Sequence, residues 1–113
     1  MEGSTITWSD FEKVEIRVGT VLSAEVFPET RSPAFKLTVD FGPVGFKQTS
    51  AQITKRYEPE DLIDRQVLAV TNFPVKRIAG FQSEVLILGA VPEEGDVVLV
   101  GPDEKVSEGT RIR

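Results

Sequence analysis

The 113 residues predict an all-β domain, a five-stranded Greek-key barrel of the OB type with short helices at the N-terminus and before the fourth strand. Three observations carry that class. Apolar residues mostly alternate with polar ones, the period of strands. Gly19 interrupts a long first strand, as a bulge or sharp bend would. A short acidic segment precedes the fourth strand, where a crossover is needed. Pattern alone leaves an SH3-like barrel or a small sandwich as alternatives.

In chain order, a short helix starts near Ser9 or Asp10, with Ser9 as cap, Glu12 completing a capping box, and Trp8 and Phe11 as its apolar side. Val14, Ile16 and Val18 alternate with Glu15 and Arg17, and Val21 and Leu22 resume the strand after Gly19. Phe35, Leu37, Val39 and Phe41 alternate with Lys36, Thr38 and Asp40 up to the turn GPVG. Phe46 to Ala51 is the hairpin partner, with Phe46, Gln48 and Ser50 on one face and Lys47, Thr49 and Ala51 on the other. In YEPEDLID, Pro59 suits a first helical position and Glu60 and Asp61 suit the first turn, so the segment reads as a short helical or 3₁₀ crossover. Val67–Val70 and Val85–Leu88 read as buried strands, and Val97–Val100 as a terminal strand between Gly95 and Gly101. Neither a repeat nor a linker divides the chain, so residues 1–113 form a single domain.

Composition narrows function. There is no cysteine and no histidine, which removes thiolate chemistry, the commonest general base and the commonest transition-metal ligand. No nucleophile elbow, phosphate loop or paired-acid signature is present, so the chain is read as a non-enzyme with no catalytic residue and no cofactor. Glu58, Glu60, Asp61 and Asp64 lack the spacing and turn glycine of a calcium loop, and no metal is expected. With no long apolar run and no signal-like start, the expectation is a cytoplasmic protein without membrane insertion. The formal charge of −5 argues against nucleic acid. Its distribution is uneven, however, and Lys36, Lys47, Lys55, Arg56, Arg65, Lys76 and Arg77 make the middle of the chain basic.

The stretch TNFPVKRIAGFQSEVLIL, Thr71 to Leu88, joins two core strands and concentrates the groups suited to binding. Asn72 offers donors and an acceptor for a peptide backbone or a base edge. Arg77 suits a phosphate or carboxylate held bidentately, and Lys76 acts as a point charge. Phe73 and Phe81 offer an apolar platform. Lys36, Gln48 and Ser50 fall where the ligand face of an OB sheet lies.

The blocks KVEIRVGTVLSAEVFPE, RSPAFKLTVDFG, SAQIT and YEPEDLIDRQVLAVTNFPVKRIAGFQSEVLILG together resemble the EMAP-type tRNA-binding domain family, over roughly Phe11 to Gly89. The resemblance implies an OB fold and a homodimer assembled with help from the N- and C-terminal segments. It implies two ligands, tRNA and unfolded or preprotein segments. Ser83 and Glu84 match the Ser-Glu-Gly-Met string usual in tRNA-binding modules, but Val85 and Leu86 replace its glycine and methionine. Phe27, Pro28 and Glu29 stand where such modules tend to show His-Pro-Asn. The string Arg31 to Gly42 resembles instead the family's secretion-chaperone branch. The expectation is therefore a chaperone of unfolded polypeptides or preproteins in protein export, with RNA secondary and a tRNA-binding protein as the alternative.

Overall fold

The alternation becomes one curved antiparallel sheet. The computed structural model describes residues 3–113. The strands are β1 (Ile16–Val26), β2 (Phe35–Asp40), β3 (Phe46–Ala51), β4 (Gln66–Val70), β5 (Lys76–Ile78), β6 (Phe81–Ser83), β7 (Leu86–Ile87), β8 (Gly89–Glu93) and β9 (Asp96–Leu99). Five of them form the main sheet in the order β3-β2-β1-β4-β7. The sheet curls until the two edges approach, and Glu84 N–H reaches the Gln48 carbonyl at 2.9 Å. This is a nearly closed OB-type barrel. Its interior is filled by Val21, Leu37, Val39, Phe41, Leu62 and Val67.

Gly19 acts through close approach. A Cβ built there would lie 2.5 Å from Val39 Cγ1 and 2.6 Å from Phe41 Cε1, so β1 can pass these two interior side chains only as glycine. The bulge itself falls at Leu22, where the β1–β2 register shifts between Val21 and Ser23.

The N-terminal helix α1 (Trp8–Glu12) starts earlier than its sequence pattern suggests. Thr7 is the cap: its Oγ1 accepts from Asp10 N–H at 3.1 Å, and the Asp10 carboxylate accepts from Thr7 N–H at 3.0 Å. The aspartate occupies the reciprocal position that was expected of Glu12, which moves the cap from Ser9 to Thr7. The second helix, α2 (Pro59–Leu62), stands before β4 as expected, and Asp61 Oδ2 accepts from Glu58 N–H at 2.9 Å. That acidic cluster serves a helix end.

Two C-terminal features were not anticipated. β9 folds back on β8 as a hairpin, fastened by Asp96 to Arg56 and by Leu99 N–H to the Tyr57 hydroxyl at 3.0 Å. The charge-rich tail then docks along β1: Val18 N–H donates to the Thr110 carbonyl at 2.9 Å and Ile112 N–H to the Ile16 carbonyl at 2.8 Å. No helix among the described residues is long and apolar enough to cross a membrane.

Candidate ligand groove

The connection from Thr71 to Leu88 contains a hairpin. β5 and β6 are joined by Ala79 and Gly80, both at positive φ (48° and 82°), the two-residue turn that matches strand twist. The second strand of the hairpin lies against β3, and the chain then bends at Val85 before rejoining β4 as β7. Between the end of β3, the Phe73–Lys76 segment and β7 a groove of about 630 Å³ opens. Its walls are largely apolar: Ile53, Phe73, Val75, Val85, Leu86 and Val97 contribute most of them. Phe73 and Val75 are each 55% exposed and Leu86 is 49% exposed, an amount of unshielded apolar surface that scattered single residues do not produce.

Hydrogen bonds close the groove's inner end. Thr49, fully buried, donates to the Val85 carbonyl at 2.7 Å and lies 3.0 Å from Ser83 Oγ, which also accepts from Ser50 N–H at 3.0 Å. Gln48 N–H donates to Glu84 Oε1 at 2.9 Å. Ser83 and Glu84 are thus occupied in joining β6 to β3.

The structure sorts the residues singled out by sequence into three places. Phe73, Lys76, Ser50 and Ser83 line the groove, Ser83 from its buried floor. Lys36, Gln48 and Phe81 line a smaller notch of about 130 Å³ on the sheet face. There Phe81 meets Phe27 edge-on, centroids 5.4 Å apart, and Lys36 Nζ sits 4.6 Å from the Phe27 centroid and 5.3 Å from that of Phe81. The lysine is held by ring faces, a cation–π arrangement. Asn72 and Arg77 belong to neither cavity. Asn72 Oδ1 accepts from Glu15 N–H at 3.0 Å and its Nδ2 donates to the Lys13 carbonyl at 2.7 Å, so this amide clasps the chain entering β1. Arg77 lies on the opposite side of β5 from Lys76, exposed and without an ion pair among the described residues.

Val85 and Leu86 wall the groove, although neither carries the polar chemistry that marks a ligand contact in a sequence. What sets them apart in the sequence is that they stand in place of glycine and methionine. Two of the middle-segment cations are spent elsewhere, Lys55 on Glu93 at 3.3 Å and Arg56 on Asp96. The Arg56 guanidinium, by hydrogen bond and then by charge, holds the Asp96 carboxyl below its ordinary value. Across the barrel, the Thr71 hydroxyl and then Arg17 lower that of Glu15.

The fold is thus a nearly closed OB barrel with an apolar groove beside its seam. The chain belongs to the tRNA-binding domain family, whose model matches residues 16–111. It is similar to the chaperone CsaA of Bacillus anthracis, with 56% identity and a TM-score of 0.94 over 97% of this chain and all of that one. It is also similar to the CsaA chaperone protein of Picrophilus torridus, with 44% identity and a TM-score of 0.89 over 96% of this chain and all of that one. A methionine–tRNA ligase of Methanococcoides burtonii is 35% identical over 95% of this chain, which spans only 16% of that enzyme's length.

Proposed function

We propose that this chain binds extended, partly apolar polypeptide segments, as a CsaA-like cytoplasmic chaperone of unfolded proteins or preproteins in export. The groove carries the reading: its volume suits several side chains, its walls are apolar, and Val85 and Leu86 add to that lining. Burial there contributes about 25 cal/mol per Å² and survives salt. The similarity to two CsaA chaperones supports the same assignment.

tRNA is the second reading, favoured by the family and by Lys76 and Arg77, adjacent exposed cations without ion pairs among the described residues. Phosphate neutralisation loses affinity steeply as salt rises. Titrating the protein with an unfolded preprotein and with tRNA, at low and at physiological salt, separates the two. Preprotein binding that persists at physiological salt, with tRNA binding lost, is the expected result; the reverse overturns the assignment.

The working unit is proposed to be a homodimer built by the terminal segments. Trp8 is 72% and Ile6 64% exposed, and Trp8, Val14 and Ile112 line one shallow pocket. The run Val97–Val100 supplies less of this surface than its composition suggests, because Val97 and Leu99 pack on the barrel core.

A further inference from the structure

The main chain at the groove identifies how an occupant would be held. Phe41 N–H donates to the Gly45 carbonyl at 3.0 Å, and the β2–β3 register continues from there to Phe35 opposite Ala51. Alternation along an antiparallel ladder makes Leu37–Thr49 and Phe35–Ala51 bonded pairs and turns the main chain of Gln48, Ser50 and Gln52 away from β2. Gln48 uses both of its outward groups on Glu84, and Ser50 N–H uses Ser83 Oγ. The Ser50 carbonyl is left with only a long, 3.4 Å approach from the Thr49 hydroxyl, and Gln52 N–H has no partner among the described residues. Both residues line the groove.

These groups are free because the barrel seam stops short. Glu84 N–H bonds to Gln48, and a continuing parallel ladder would bring Leu86 N–H to the Ser50 carbonyl two residues later. The bend at Val85 turns Leu86 to Val70 of β4 instead.

We propose that an extended polypeptide segment adds to the β3 edge as a parallel strand, one of its residues donating N–H to the Ser50 carbonyl and accepting from Gln52 N–H. A carbonyl and an N–H two residues apart, flanking Ala51, are the pair a parallel strand uses to hold one residue of its neighbour. Main-chain bonds of this kind read no sequence, which suits a binder of many clients, and alternate side chains of the segment fall on Val85 and Leu86. The charged residues lining the groove are Lys76 and Glu84, and because the Glu84 carboxylate already accepts from Gln48 N–H, Lys76 is the one a carboxylate next to the apolar residues complements. RNA has no alternating N–H and C=O and cannot make this ladder. The inference rests on the polypeptide reading above.

The test is an N-methyl scan. The probe is a fluorescent nine-residue peptide with two leucines one residue apart, a glutamate beside them and serines elsewhere; the leucines fix its register. Each amide is methylated in turn and binding to the wild-type protein is followed by anisotropy. Loss of about tenfold at alternate amides near the leucines, with the amides between them unaffected, is expected. Gln52→Pro, which removes an N–H without a partner among the described residues, reproduces the loss for the unmethylated peptide. Binding that tolerates methylation at every position overturns strand addition while the polypeptide reading stands. A parent peptide that fails to bind where tRNA does overturns both.

Discussion

The Thr49 hydroxyl, fully buried, donates to the Val85 carbonyl at 2.7 Å across the barrel seam. It is also 3.0 Å from Ser83 Oγ, so one hydroxyl ties β3 to the strand segment that walls the groove. Thr49→Val keeps the shape and leaves the Val85 carbonyl and the Ser83 hydroxyl short of a buried partner. Each such orphan costs about 1–3 kcal/mol. Urea denaturation of the variant should show a loss of that order, and an unchanged midpoint would mean that water replaces the threonine.

Leu86 should separate the two ligands. Half-exposed on the groove wall, it can lose its side chain without leaving a core cavity. Leu86→Ser is expected to weaken an apolar peptide by about five- to tenfold, the equivalent of roughly 1 kcal/mol of apolar burial, and to leave tRNA affinity and thermal stability unchanged. Anisotropy titrations with both ligands check this; equal weakening of both would move the binding surface away from the groove.

The pair Arg56–Asp96 predicts an acid limit on stability. Asp96 is buried, and Arg56 contacts it through both Nε and Nη2, the latter at 2.8 Å. The folded-state carboxyl titrates below its ordinary 3.8, so the folded state binds that proton less well than the unfolded chain does. The stabilisation is complete above the unfolded value and disappears as pH falls through the folded one. Glu15 and Glu108 are lowered as well, by the hydroxyl of Thr71 and by Glu108's own main chain with the hydroxyl of Thr20, and act in the same direction. Melting temperature should hold from neutrality to about pH 5 and drop below about pH 4. Asp96→Asn should melt lower at neutral pH and show a shallower acid drop.

The sequence pattern reached the barrel, the hairpin of β2 and β3 and the crossover helix because each is written in local alternation or capping residues. It did not reach the docked tail, whose Pro, Gly and charges carry no period, although Gly109 N–H and the Thr110 carbonyl bond to Val18 almost the whole chain away. The segment that walls the groove was legible in the sequence, and the residues that line it less so. Asn72 has the chemistry of a ligand contact, but its partners, Lys13 and Glu15, are brought to it only by the fold. Phe81, Phe27 and Lys36 come from three separate segments, and their stacking is a tertiary fact. Val85 and Leu86 look like ordinary strand core until the bend between β6 and β7 exposes Leu86 to the groove.

Trp8 provides the decisive check on assembly. Helix α1 has five residues and none of them is buried, so packing within its own chain does little to hold it. It is fixed instead by its capping box and by Arg111 Nη2 donating to the Glu12 carbonyl at 2.9 Å, which presents Trp8 and Phe11, centroids 6.0 Å apart, on one surface. A tryptophan 72% exposed that shares a pocket with Val14 and Ile112 is the kind of anchor that dominates interfaces. In a symmetric dimer the patch meets its own copy, so one substitution acts twice. Light scattering at micromolar concentration should give twice the chain mass for the wild type and the chain mass for Trp8→Ser, with the barrel's far-ultraviolet circular dichroism retained. A wild type that is already monomeric would remove the terminal segments from the interface. A Trp8→Ser variant that stays dimeric would move the interface off this patch.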